Sequence, residues 1–123
     1  VDAKRIGIIG FSAGAPVALD ATIQHSTEGR PDFTAAIYGS DLRGAAVPED
    51  APPIFLVCAA DDSIVPPSSS VIVYQAWRSG GHLAELHVFE KGGHGFGMQK
   101  RGLPVDHWID LLGYWLQAQG LLK

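Results

Sequence analysis

Apolar residues fall in short runs divided by polar, glycine- and proline-rich stretches, and the runs alternate between strand-like and helix-like spacing. Arg5 to Gly10, carrying Ile6, Ile8 and Ile9 and closed by a glycine, predicts a buried strand. A helix is expected from the turn after it to about Gln24, with Ala13, Val17, Ala18 and Ala21 as its apolar side. Pro16 lies in the first turn of that helix, where a missing N–H has no intrahelical acceptor to lose. His25 to Asp32 is polar, contains Gly29 and Pro31, and reads as a loop. Thr34 to Tyr38 predicts a second strand, ended by Gly39-Ser40, and Asp41 to Pro53, broken by Pro48, Pro52 and Pro53, predicts an irregular segment.

Ile54 to Ala60 predicts a third strand, apolar on both faces as in the middle of a parallel sheet covered by helices. Pro66-Pro67 opens a helix to about Arg78, with Ser79-Gly80-Gly81 as its stop, and Ala84 to Glu90 predicts a fourth strand of partial alternation. The last helix is expected from Pro104 to about Gln119, ending at Gly120. Trp108, Leu111, Leu112, Trp115 and Leu116 form its wide apolar stripe. Two tryptophans on one stripe read as docking the helix on the sheet. Strands joined by helical crossovers imply an α/β fold, a parallel sheet of about four strands with helices on both faces.

The length of 123 residues suits one domain, residues 1–123, with a modest core. With 46% hydrophobic and 18% charged residues, disorder is excluded. A formal net charge of −4, and basic runs no longer than the pairs Lys4-Arg5 and Lys100-Arg101, speak against nucleic acid and membrane surfaces as partners. Ile54 to Ala60 is the longest apolar stretch and is too short to cross a bilayer; the first residues show no signal peptide, and the compartment stays open. Cys58, the single cysteine, sits mid-run and reads as a buried thiol.

Candidate chemistry begins at the end of the first strand. Gly10-Phe11-Ser12-Ala13-Gly14 matches G-x-S-x-G, in which a serine stands on a sharp strand-to-helix turn and small neighbours (Gly10, Ala13, Gly14) leave it room. A serine hydroxyl is a weak nucleophile unless a base takes its proton and an acid steadies that base. Asp62, in Ala60-Asp61-Asp62-Ser63-Ile64-Val65-Pro66, and His94, in Gly92-Gly93-His94-Gly95-Phe96, follow in that order. Ser12, Asp62 and His94 come directly after the first, third and fourth predicted strands, so a parallel sheet places all three beyond the carboxyl ends of its strands.

Gly92, Gly93, Gly95 and Gly97 give the histidine loop freedom to turn an imidazole toward the serine. The acid is Asp61 or Asp62; Asp62 is preferred, and the other is expected to cap or brace the turn before Pro66. Asp41 and Asp50 rank below both. His25, His82, His87 and His107 read as surface or partly buried residues without zinc-binding spacing, so no metal is expected. The Ala13 N–H, at the start of the helix, is the expected oxyanion donor.

These motifs resemble the α/β-hydrolase superfamily, and most nearly the bacterial carboxylesterases of the acetyl-xylan esterase, feruloyl-esterase-like and dienelactone-hydrolase-related groups. Gly10 to Ala15 is similar to their nucleophile elbow, Ala60 to Pro67 to their D-x-x-V-P acid loop with the aspartate at Asp62, and Gly92 to Phe96 to their histidine loop. The resemblance covers nearly all of this chain but only about the C-terminal half of the family's domain, so a partial α/β-hydrolase domain is expected. Its four strands would be the family's last four, and the loop that gives the family its second oxyanion donor, often H-G-G-G, has no counterpart here. Dienelactone hydrolases proper carry a cysteine where Ser12 stands.

The resemblance implies a serine carboxylesterase that cleaves short-chain esters through an acyl-enzyme, without a cofactor, on small-molecule or polysaccharide-linked substrates. A serine peptidase of prolyl-oligopeptidase type and a non-catalytic hydrolase fragment are the alternatives. The family's nucleophile strand is paired on both sides. One flank of Arg5 to Gly10 is therefore expected to be an open apolar edge, covered by further sequence of a larger protein or by a second copy.

Overall fold

In a computed structural model describing residues 2–122, the order is β1 (Gly7–Phe11), α1 (Gly14–Ile23), β2 (Phe33–Ile37), β3 (Ile54–Ala59), α2 (Ser68–Ser79), β4 (Ala84–Phe89) and α3 (Trp108–Ala118). The strands form one sheet in the order β1-β2-β3-β4, every neighbouring pair parallel. Each crossover therefore returns to the same end of the sheet, and the loops that follow the strands gather on one rim.

Alternation along β2 and β3 divides the core in two. Ala35, Ile37, Phe55, Val57 and Ala59 face Trp108, Leu112 and Trp115 of α3. Ala36, Ile54 and Leu56 face Ala15 and Leu19 of α1 and Val73 and Trp77 of α2. This is why β3 is apolar at every position: all six of its residues are buried. Burying a side chain such as Leu19, 0% exposed, is worth about 1.5–3 kcal/mol. The α3 stripe docks as expected through its tryptophans, and Trp77 of α2 donates its indole N–H to Pro52 O at 2.8 Å, fastening the irregular segment before β3.

Two expectations are corrected. α1 buries Ala15, Ala18, Leu19 and Thr22, whereas Ala13, Val17 and Ala21 lie exposed. Apolar residues stand on both sides of this helix, and hydropathy gives no warning that Thr22 turns inward. Its hydroxyl is satisfied there by Ala18 O and Thr34 Oγ1, each at 2.7 Å. The stretch from Pro104 begins as a 3₁₀ turn over Pro104–His107, and α3 proper starts at Trp108. The buried Asp106 carboxylate accepts the N–H groups of Arg101, Gly102 and Leu103 at 2.8–3.2 Å, which winds the chain tightly before the helix.

Candidate active site

β1 runs one residue past Gly10, because the Ser12 N–H still donates to Ile37 O of β2 at 3.0 Å. The chain then reverses at Ser12, whose φ of 51° lies in the left-handed region; such a conformation in a non-glycine residue costs roughly 1–3 kcal/mol. Gly10 makes the turn possible, since a Cβ there would stand 2.2 Å from Gly14 O. Gly39, closing β2, matters equally: a Cβ on it would reach Ser12 O at 2.6 Å. Gly14 meets nothing within 4 Å, so of the small residues around the serine it is Gly10 that steric room requires.

The Ser12 Oγ lies 2.6 Å from His94 Nε2, across 82 positions of sequence. His94 Nδ1 lies 2.8 Å from Asp62 Oδ2. A carboxylate only accepts, so Nδ1 carries the proton, and the neutral ring then offers a bare Nε2 to the serine O–H. The Tyr38 ring packs edge-on against the imidazole at 5.3 Å and leans on buried Phe96 at 4.6 Å, limiting how far the ring can swing.

Asp62 has a side chain only 1% exposed. Burial works to raise its pKa, but hydrogen bonds from the Val65 N–H, His94 and the Ile64 N–H outweigh it, and the carboxyl is held below its ordinary value. Asp62 therefore stays ionised beside the imidazole. The turn before Pro66 is braced by Asp62 itself, whose Oδ1 accepts the Ile64 and Val65 N–H groups at 2.9 Å. Asp61 does not brace that turn, contrary to expectation. Its Oδ1 accepts from Gly92 N at 2.9 Å and Gly93 N at 2.7 Å, in the histidine loop. Adjacent side chains at a strand end point apart, and the two carboxylates serve different loops.

Ala13 occupies the cap position of α1, where first-turn N–H groups have no intrahelical acceptor. A cleft of about 520 Å³ opens beside Ser12, with Ala13, Pro16, Ile64, Val65 and Ile72 among its walls. Asp41 also lines this cleft. The remaining histidines sit elsewhere: His25 pairs with Asp50, His87 with Glu85 and His107 with Asp110, while His82 follows α2. Cys58 is buried, and burial pushes its thiol pKa up, away from reactivity. The contributions of Gly39, Tyr38 and Asp61 went unread in the sequence; the small residue closing β2 was the one available signal.

Chemically, the arrangement can pass a proton from a serine hydroxyl to an imidazole whose charged form has a carboxylate waiting for it. The model of the dienelactone hydrolase family matches residues 1–117. The acetylxylan esterase of Xylanibacter ruminicola is 25% identical over 150 aligned positions, covering 96% of this chain and 31% of that protein. Among solved structures, an acetyl ester-xyloside bifunctional hydrolase from Caldicellulosiruptor lactoaceticus superposes with a TM-score of 0.89 at 25% identity, over 100% of this chain and 60% of its own. A carboxylesterase from Lactobacillus plantarum gives 0.83 at 26% identity, covering 100% of this chain and 62% of its own. The chain thus spans under a third of the curated relative and about three fifths of these structures.

Proposed function

Because the chain belongs to the dienelactone hydrolase family, a family with esterase and other hydrolase relatives, we propose that it acts as a serine carboxylesterase on short-chain esters, with Ser12, His94 and Asp62 as its triad. The observation that carries this reading is the hydrogen-bonded line from Ser12 Oγ through His94 to Asp62, 2.6 and 2.8 Å long. Ser12 Oγ attacks the acyl carbonyl while His94 Nε2 takes its proton. Asp62 steadies the imidazolium that results. The Ala13 N–H donates to the oxyanion of the tetrahedral intermediate, where the loss of one such donor costs on the order of 10²–10³ in turnover.

Collapse of the intermediate breaks the ester C–O bond. His94 returns the proton to the departing alcohol and leaves the acyl group on Ser12. A water molecule, deprotonated by His94, then attacks that acyl-enzyme and releases the acid. One relative described as an acetylxylan esterase and another as an acetyl ester-xyloside bifunctional hydrolase favour acetyl groups carried on a sugar or another small alcohol.

The test is labelling with a fluorophosphonate probe together with turnover of p-nitrophenyl acetate and a proline anilide. Labelling at Ser12 that Ser12→Ala abolishes, with the acetate preferred, is the expected result. Preference for the anilide would replace the esterase reading with a peptidase. A folded protein that neither labels nor turns over would make the chain a non-catalytic member of its family.

A further inference from the structure

Three of the glycines around His94, Gly93, Gly95 and Gly97, have positive φ, and backbone of this kind has little local preference to hold an imidazole in one place. The loop is nevertheless held at several points. Asp61 Oδ1 accepts both N–H groups that precede His94, from Gly92 and Gly93. On the opposite polarity, the Arg101 guanidinium donates to Gly92 O at 2.7 Å. Arg101 is itself fixed: its own N–H, with those of Gly102 and Leu103, goes to Asp106 Oδ2. Further along, the Trp108 indole N–H donates to Gly97 O at 2.7 Å. The Ser12–His94–Asp62 line uses neither Asp61, Arg101 nor Asp106.

We infer that Asp61 and Arg101 form a two-sided clamp on the peptide before His94, with Asp106 as its anchor, and that they are positioning residues setting the imidazole between Ser12 and Asp62. A carboxylate on N–H groups and a guanidinium on a carbonyl are charge-assisted bonds, stronger than neutral ones. They restrain the loop without adding side chains to it, which leaves the glycine turns around His94 sterically free. Asp61 thereby acquires a role distinct from that of its neighbour Asp62: one aspartate orients the imidazole through its backbone, the other through its ring. For the catalytic consequence the clamp rests on the reading of His94 as general base. Its geometric consequence does not.

The test compares Asp61→Ala, Asp61→Asn and Arg101→Met with the unsubstituted protein by two readouts. Proton NMR follows the downfield His94 Nδ1–H bonded to Asp62, and kinetics follow p-nitrophenyl acetate. The expected result is a weakened or rapidly exchanging Nδ1–H signal in Asp61→Ala and Arg101→Met. Their kcat should fall by up to about 10²-fold, the scale of a misplacement near 1 Å, with KM nearly unchanged and with Asp61→Asn, which keeps an acceptor, recovering most of the loss. Arg101→Met removes only one of the three bonds on the Gly92–Gly93 backbone and keeps the test open if Asp61→Ala does not fold. An unaltered Nδ1–H signal in folded Asp61→Ala or Arg101→Met overturns the clamp. A perturbed signal in a protein whose unsubstituted form has no turnover would leave the clamp standing and remove the esterase reading instead.

Discussion

The two oxygens of the Asp62 carboxylate are engaged differently. Oδ1 ties down the turn at Ile64 and Val65, and Oδ2 faces the histidine. Replacing the acid by its amide separates the two roles. Asp62→Asn has a single side-chain oxygen: kept on the Ile64 and Val65 N–H groups, it leaves the amide NH2 facing His94 Nδ1, and a donor there favours the wrong tautomer. Turnover of p-nitrophenyl acetate is expected to drop by on the order of 10⁴. The same carboxyl also shapes the acid limb of stability. Its folded pKa is depressed, so its stabilisation is fully present above the unfolded value of about 3.9 and is lost as pH falls through the folded value. Urea midpoints measured from pH 5 downward should fall less steeply in Asp62→Asn than in the unsubstituted protein. Equal slopes would remove Asp62 from the acid transition.

The elbow between β1 and α1 depends on close backbone contact, and its two glycines differ sharply in this respect. Gly10→Ala would set a methyl 2.2 Å from Gly14 O, which is backbone and cannot rotate away, whereas Gly14→Ala meets open space. Gly10→Ala is therefore expected to lower the melting temperature and abolish fluorophosphonate labelling together, while Gly14→Ala keeps both; far-UV circular dichroism and labelling on the same samples decide it. The run of isoleucines ending in glycine made this strand–turn–helix readable from sequence, as did the loops bearing Asp62 and His94, because each follows a strand directly. Less could be read where tertiary contact decides. The buried side of α1 depends on Thr22 finding Thr34, which lies on another element. The opening turn of α3 depends on a carboxylate collecting three N–H groups from the chain before it. Which of two adjacent aspartates meets the histidine depends on side-chain direction at a turn; hydropathy is silent on that, and it was the D-x-x-V-P spacing that pointed to Asp62.

The folded chain leaves the flank of its first strand unprotected. β1 pairs with β2 on one side and with no other strand among the described residues, and Ile6, Ile9 and Phe11 are 48%, 43% and 42% exposed. Val17 of α1 is 65% exposed as well. An apolar edge strand of this kind is a template for association. It also borders the reactive serine, since Phe11 and Ala13 flank Ser12 and are both exposed. Association here would change access to the cleft as well as solubility. The chain by itself is expected to self-associate as its concentration rises, and p-nitrophenyl acetate turnover per molecule should change with it. Placing charge on the edge in the double variant Ile6→Lys, Ile9→Lys disfavours edge-to-edge pairing without touching Ser12, His94 or Asp62. Sedimentation velocity should then show a smaller, concentration-independent species. If the unsubstituted chain already sediments as a monomer across the same range, with constant turnover per molecule, the exposed flank of β1 does not drive association.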